Sequence, residues 1–261
     1  MSLTGKTKAA SYKDLLQINN SNNGVDATTR VVKDGEGTAS SIHISDDALM
    51  VQPQGDDTTD VFSVRDKDGN RLLQVDSSND LVKAGIGQHI ANTQIQRFGF
   101  ASGASLPSSS NTWTAIPSGG RAGVAAVEFG TGGTPDTTFT ISSTADDIVP
   151  CFFYVPVNIT IDSCNVWLGA DAASGDDVKF SVMSYDVVTT AGATAGDLSS
   201  GTENCVSAGI LTGAGYEQAY FKQLTVSSAN VAAGKVIMAF VHQTGTNSDL
   251  SINMQLVYHL R

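Results

Sequence analysis

Apolar positions along this chain recur in short runs separated by turn residues. Almost nowhere do they keep the three-to-four spacing of an amphipathic helix. One short helical candidate lies at residues 11–18, where Ser11 and Asp14 sit three apart like a capping pair and Leu15, Leu16 and Ile18 form an apolar face. An extended reading of residues 15–18 competes with it, because Asn-Asn-Ser-Asn-Asn-Gly at 19–24 ends any helix at once. The expected fold is all-β.

From 29 to about 98 the pattern predicts short strands: Val31-Val32, Ile42/Ile44, Leu49/Val51, residues 61–64, residues 72–75 and Leu81-Val82. Tight turns separate them at 33–37, at 66–70 and, more loosely, at 76–80. Asp-Gly in the first two suggests type I′ hairpins, whose two central residues take positive φ. Strands this short close little core by themselves, so edges and apolar faces need partners; three copies wound about a common axis would supply them. Residues 1–100 are therefore expected to form a hairpin-rich stalk region. Residues 101–112, rich in Ser, Gly and Pro, form a linker.

Beyond 113 the runs lengthen. Candidates are 112–116, 124–129, 137–141, 151–155, Ile159/Ile161, Cys164/Val166/Leu168, Val178/Phe180/Val182, 220–226, 236–241 and Ile252/Met254/Leu256/Tyr258. The last alternates strictly, with Ser251, Asn253, Gln255 and Val257 on the opposite face. About ten such strands over residues 113–261 predict a two-sheet sandwich of jelly-roll type. Residues 186–208, rich in Thr, Ala, Gly and Ser, read as a long surface loop.

Composition narrows the function. Hydrophobic residues make up 41% of the 261, an ordinary globular share, but charged residues only 16%. Ser, Thr, Asn, Gln and Gly must carry the polar surface, which suits an extracellular particle better than a cytosolic enzyme. The net charge of −11 argues against nucleic acid. It divides as −3 over residues 1–100 and −8 over 101–261. Three cysteines, Cys151, Cys164 and Cys205, with no CxxC, argue against a disulfide framework. The opening residues lack the apolar core of a signal peptide and no stretch suits a membrane span, so synthesis in a reducing cytoplasm is expected.

Several motifs suggest chemistry and weaken on inspection. Gly5-Lys6-Thr7 resembles the end of a phosphate loop but has neither the upstream glycine nor a preceding strand. Asp66, Asp68 and Asn70 have calcium-loop spacing, but Arg71 and Ser77 occupy the positions of the required Gly and Glu. Asp171, Asp176 and Asp177, or Asp146 and Asp147, are turn residues that could contribute to a calcium site. The histidines, His43, His89, His242 and His259, are scattered; His43 and His259 read as sheet-face residues. No nucleophile elbow or HExxH is present, and no catalytic, cofactor or metal residue is assigned. Among Trp113, Phe152, Phe153, Tyr154 and Trp167, all able to stack on a sugar or fill a core, Trp167 stands out. Lying between Val166 and Leu168, it should point away from their face and toward solvent.

The stretch Thr4-Gly5-Lys6-Thr7-Lys8-Ala9-Ala10-Ser11-Tyr12-Lys13-Asp14-Leu15-Leu16-Gln17, with residues 19–26 and 31–37, resembles the N-terminal part of fibre-type proteins of tailed phages, marine ones especially. The run from Phe62 through Asp66-Lys67-Asp68-Gly69-Asn70 to Asp76 is similar to hairpin units of fibre shafts. About a third of the chain is covered. The resemblance implies a virion protein, a homotrimer, attachment to other virion proteins through the N-terminal region and an exposed C-terminal head; it brings no enzymatic residues. Three readings follow: a trimeric fibre or spike whose head contacts host-surface glycan, a capsid decoration protein that clamps shell subunits, and a glycan-cleaving tail enzyme.

Overall fold

The computed structural model describes residues 15–18, 20, 23–100, 111–118, 126–170, 177–211, 218–244 and 250–261. The chain divides into two compact units, 1–91 and 92–261. Both are antiparallel β structure, so the all-β expectation holds.

The first unit contains two four-stranded meanders. One comprises β1 (Gln17–Ile18), β2 (Arg30–Lys33), β3 (Ala39–Ile44) and β4 (Leu49–Val51); the other β5 (Phe62–Arg65), β6 (Arg71–Asp76), β7 (Leu81–Ala84) and β8 (His89–Ile90). The turns after β2 and β5 are built alike. Gly37 N–H donates to Asp34 C=O (3.1 Å) and Gly69 N–H to Asp66 C=O (3.1 Å), while Asp34 and Asp66 N–H donate to Thr38 and Asn70 C=O at 3.0 Å. Positive φ falls only on Gly37 (+89°) and Gly69 (+87°) within these turns. They are therefore three-residue loops ending in a left-handed glycine, not the type I′ turns expected from Asp-Gly. Each Asp carboxylate is turned inward: Asp34 accepts from the N–H of Glu36 and Thr38, and Asp66 from Asp68 and Asn70.

The second meander buries the wrong side for an isolated sheet. The register aligns Phe62, Val75 and Val82, and next to them Val64, Leu73 and Ala84, on one mainly apolar face, whose second row ends at His89 opposite Ala84. Phe62, Val64 and Val82 are each more than two-fifths exposed. On the opposite face Gln74 and Asp76 are buried. Across from this meander Leu49 of β4 is 71% exposed, and a cleft of about 300 Å³ lies among Leu49, Val51, Val61, Phe62 and Val75. Among the described residues of this unit, Val32, at 9% exposure, is the most buried of the large apolar side chains.

The second unit is built on eight principal strands: β9 (Thr93–Phe100), β10 (Trp113–Ile116), β12 (Ile159–Ala170), β13 (Asp177–Val187), β14 (Leu198–Val206), β16 (Gln218–Val226), β18 (Val236–Gln243) and β19 (Leu250–Leu260). Two-residue strands β11 (Phe153–Tyr154), β15 (Ile210–Leu211) and β17 (Asn230–Val231) pair with β18, β13 and β12. The first principal strand pairs with the eighth, the second with the seventh, the third with the sixth and the fourth with the fifth. This is one long antiparallel hairpin folded over on itself, the topology of a jelly roll. Its sheets run β9-β19-β12-β16 and β10-β18-β13-β14. Two seams join them: Cys205 and Val206 pair with Val226 and Thr225 on one side, and Phe98 bridges to Ser118 on the other.

Alternation explains the core. Along β18, Ile237, Ala239 and Val241 enter the space between the sheets, and Val236, Met238 and Phe240 enter a second cluster on the outside of their own sheet. Residues 126–155 cover that outer side with Val127, Phe129, Ile148 and Cys151; Phe129 packs on Phe240 at 4.7 Å and on Phe139 at 4.5 Å. A strand buried on both faces reads as a continuous apolar run, as Val-Ile-Met-Ala-Phe-Val does.

The structure revises four expectations. The unit boundary follows residue 91, because β9 turns Phe98 and Phe100 into the jelly-roll core and pairs with the last strand. Residues 198–206 form β14 rather than lying wholly in a loop; Leu-Ser-Ser-Gly-Thr-Glu lacks strand formers, and pairing with β13 holds it extended through two bulges. Residues 126–129 and 137–141 make only isolated bridges at Glu128 and Phe139. Cys151 ends a helical turn, Val149–Cys151, rather than opening a strand. The N-terminal helix-or-strand question is settled for Gln17–Ile18, which are extended; residues 11–14 and 101–110 lie outside the described residues.

Candidate functional site

The two faces of the β16-β12-β19-β9 sheet differ sharply. Val166, Leu168, Met254 and Leu256 turn inward and are buried. The outward positions are not covered by any described segment comparable to 126–155. Register places them in rows across the four strands. One row is Phe221, Trp167, Asn253 and Gly99; the next is Gln223, Asn165, Gln255 and Arg97.

Trp167 is 51% exposed, between Val166 and Leu168 at zero, so its outward direction is as alternation requires. It lies opposite Phe221, itself 54% exposed, with ring centroids 5.0 Å apart and planes tilted by 50°. Glycine and serine follow Trp167 toward the open end: Gly169 and Ser251 are paired in register. Lacking bulk, they leave a cleft of about 410 Å³ lined by Phe100, Trp167, Gly169, Ser251, Ile252 and Asn253. The result is an aromatic wall above a polar floor, a chemistry suited to ligands with one apolar and one hydroxylated side.

Arg97 is exposed at the edge of the second row and makes no ion pair among the described residues. Among the described residues an acidic side chain of β12, Asp162, sits at the bulge between Ile161 and Ser163. Its carboxylate is held by His259 Nδ1 at 2.9 and 3.0 Å.

The remaining candidates separate clearly. Trp113 is buried, with its ring 5.0 Å from His242 and its indole N–H donating to Gly132 C=O at 3.0 Å. Phe152 and Phe153 pack against the two core clusters, and Tyr154 is exposed. Burial, and then the nearby Lys179, holds the His242 imidazole below its ordinary value. His43 is half-buried on β3, whereas His259 is buried beside Asp162. Asp146 and Asp147 lie on a single helical turn, Ala145–Ile148; Asp177 lies 3.4 Å from Lys179; and Gly5, Lys6, Thr7, Asp171 and Asp176 fall outside the described residues. Among the described residues no three His, Cys, Asp or Glu side chains gather as metal ligands, and no helix is long and apolar enough to cross a membrane. The three cysteines are buried free thiols.

Sequence reasoning missed Phe221, Arg97 and the Asp162–His259 pair. Phe221 was within reach, since it alternates with Tyr220 and Lys222 in a run already read as a strand. The others depend on registers between distant segments, and on a bulge, that no local pattern reveals. No family model matches the chain, and no curated protein is significantly similar to it in sequence.

Proposed function

We propose that this chain is a non-enzymatic structural subunit of a tailed-phage particle, assembling as a homotrimeric fibre or spike. The first unit joins copies to one another and to neighbouring virion proteins; the jelly roll acts as the head that contacts host-surface glycan. The observation that carries this reading is the inverted burial of the β5–β8 sheet: its apolar face, Phe62, Val64 and Val82 included, is open while Gln74 and Asp76 are buried. An amphipathic sheet gains most of its stability from covering its apolar face, and identical copies are the simplest cover. The low charge of the whole chain and the aromatic, amide-rich face around Trp167 fit an attachment head that sums weak polar contacts by multivalency. The hairpin around Asp66, similar to fibre-shaft units, and residues 31–37, similar to the N-terminal part of fibre-type proteins, add the resemblance to phage fibres.

Light scattering on the purified full-length protein tests assembly. A mass of three times 27.1 kDa is expected. A stable monomer would overturn the trimeric fibre and shift the reading to a capsid decoration protein.

A further inference from the structure

We propose that the outward face of the β16-β12-β19-β9 sheet selects anionic glycans, with Trp167 and Phe221 stacking on a sugar ring and Arg97 pairing with an acidic group on a neighbouring sugar. This deepens the attachment reading above and rests on it.

The argument begins with charge. The chain carries −11, yet the two rows centred on Trp167 and Asn165 contain no carboxylate. They carry four amides, Asn165, Gln223, Asn253 and Gln255, and one guanidinium, Arg97. Asp162, the acid that β12 carries among the described residues, is engaged by His259. On an acidic protein anions are repelled over most of the surface, so two rows without a carboxylate, holding an arginine that makes no ion pair among the described residues, are where one would be accepted. Guanidinium suits a carboxylate or sulfate because its forked N–H groups meet two oxygens together.

Spacing then sets the ligand's size. Two strand separations across the sheet and two residues along it place Arg97 about 12 Å from Trp167, roughly the reach of a short oligosaccharide. The Gly169 and Ser251 floor beside Trp167 leaves room for a ring to lie against the indole. The intervening amides of Asn253, Asn165 and Gln255 can donate to and accept from sugar hydroxyls. A flat hydrophobic partner protein would leave these amides unpaired, which disfavours it.

The test is binding of the full-length protein to a printed array of oligosaccharides bearing uronate, sialate or sulfate, beside neutral counterparts of the same backbone. Solution titration of the best pair follows. The wild type should prefer the anionic member about five- to tenfold, as expected for one charge-assisted contact. Trp167→Ala should weaken both members at least tenfold. Arg97→Gln should reduce the anionic ligand to the affinity of the neutral one and leave the neutral one unchanged. Both substitutions are at exposed positions, and an unchanged melting curve confirms folding. Equal binding of neutral and anionic members, or a preference that survives Arg97→Gln, would overturn anion selection while leaving glycan attachment intact. Absence of binding to every member would overturn both.

Discussion

The hairpin unit and the jelly roll use the same materials, short antiparallel strands and Asp- or Gly-containing turns, and bury opposite things. In the jelly roll, Ile237, Met238, Ala239, Phe240 and Val241 disappear completely, and it is the amide-rich outer face of the β16-β12-β19-β9 sheet that is left to solvent. In the β5–β8 meander the apolar face is open, and the inside holds Asp76, bound to Asn79 and to Lys83 at 3.1 Å. The jelly roll covers both faces of β18 from a single chain: the opposite sheet covers one, and residues from 127 to 151 cover the other. A four-stranded meander has too few strands to do so. In the proposed assembly the first unit is the part that gains from company, and the second is the part expected to fold as a self-sufficient body.

That contrast can be broken at several strengths. The largest expected effect is Phe240→Ala, which empties a position packed by Phe129 and Tyr185 and should cost about 3–5 kcal/mol in urea unfolding. Phe62→Ala, at a position 41% exposed, should change the stability of dilute monomer by less than about 1 kcal/mol. Comparable losses at both positions would mean that the hairpin unit has a core of its own.

Gly99→Ala comes next. A Cβ there would run into the Ile252 carbonyl of the neighbouring strand, pushing β9 from β19, for an expected loss of about 1–3 kcal/mol by thermal melting. At Gly169 the same change meets Ser251 Cβ at an ordinary 3.5 Å, so Gly169→Ala should be close to neutral and serves as its control.

Acid should separate the units. Five carboxylates of the first unit are held below the ordinary 3.8: Asp26 by Arg30, Asp34 by the Thr38 N–H, Asp60 by Arg71 and Asp66 by Asn70. At Asp76, burial pushes upward but Asn79 and Lys83 outweigh it. In the second unit only Asp186, beside Lys235, is lowered among the described residues. A carboxylate whose folded value is depressed stabilises the fold above its unfolded value, and that contribution is lost as pH falls through the folded one. Hydrogen exchange from pH 6 to pH 3 should therefore show residues 30–90 opening below about pH 4, before the jelly roll does. Simultaneous opening would contradict the assignment.

The smallest effect is at the thiols. Burial, then Asp147, pushes Cys151 up to about 12, and contact with Cys205 raises Cys164 as well. A thiol reagent at pH 8 should modify none of the three in the native protein and all three after unfolding.

Much of this fold was legible in the sequence because alternation is a local signal. Val178/Phe180/Val182 and Ile252/Met254/Leu256 gave their strands and faces directly, and the same rule gave the direction of Trp167. Strand β14 was hidden because Ser, Gly and Thr carry no hydrophobic alternation, so only the partner strand makes it extended. The closure of β9 onto β19 joins residues about 160 positions apart, which is why Phe98 and Phe100 were assigned to the wrong unit. The turns were located correctly but with the wrong type, since local composition marks a Gly-rich corner and hydrogen bonding decides which residue takes positive φ. The site was visible only as Trp167; its partner ring, its cleft and its cation are products of register.

The most direct test of the central claim removes the open apolar face without touching the jelly roll. Leu49→Ser, Phe62→Ser, Val64→Ser and Val82→Ser, combined in the full-length chain, should reduce the light-scattering mass from three times 27.1 kDa to 27.1 kDa and leave the jelly-roll melting transition in place. A variant that keeps the wild-type mass would contradict the claim that copies meet through this face.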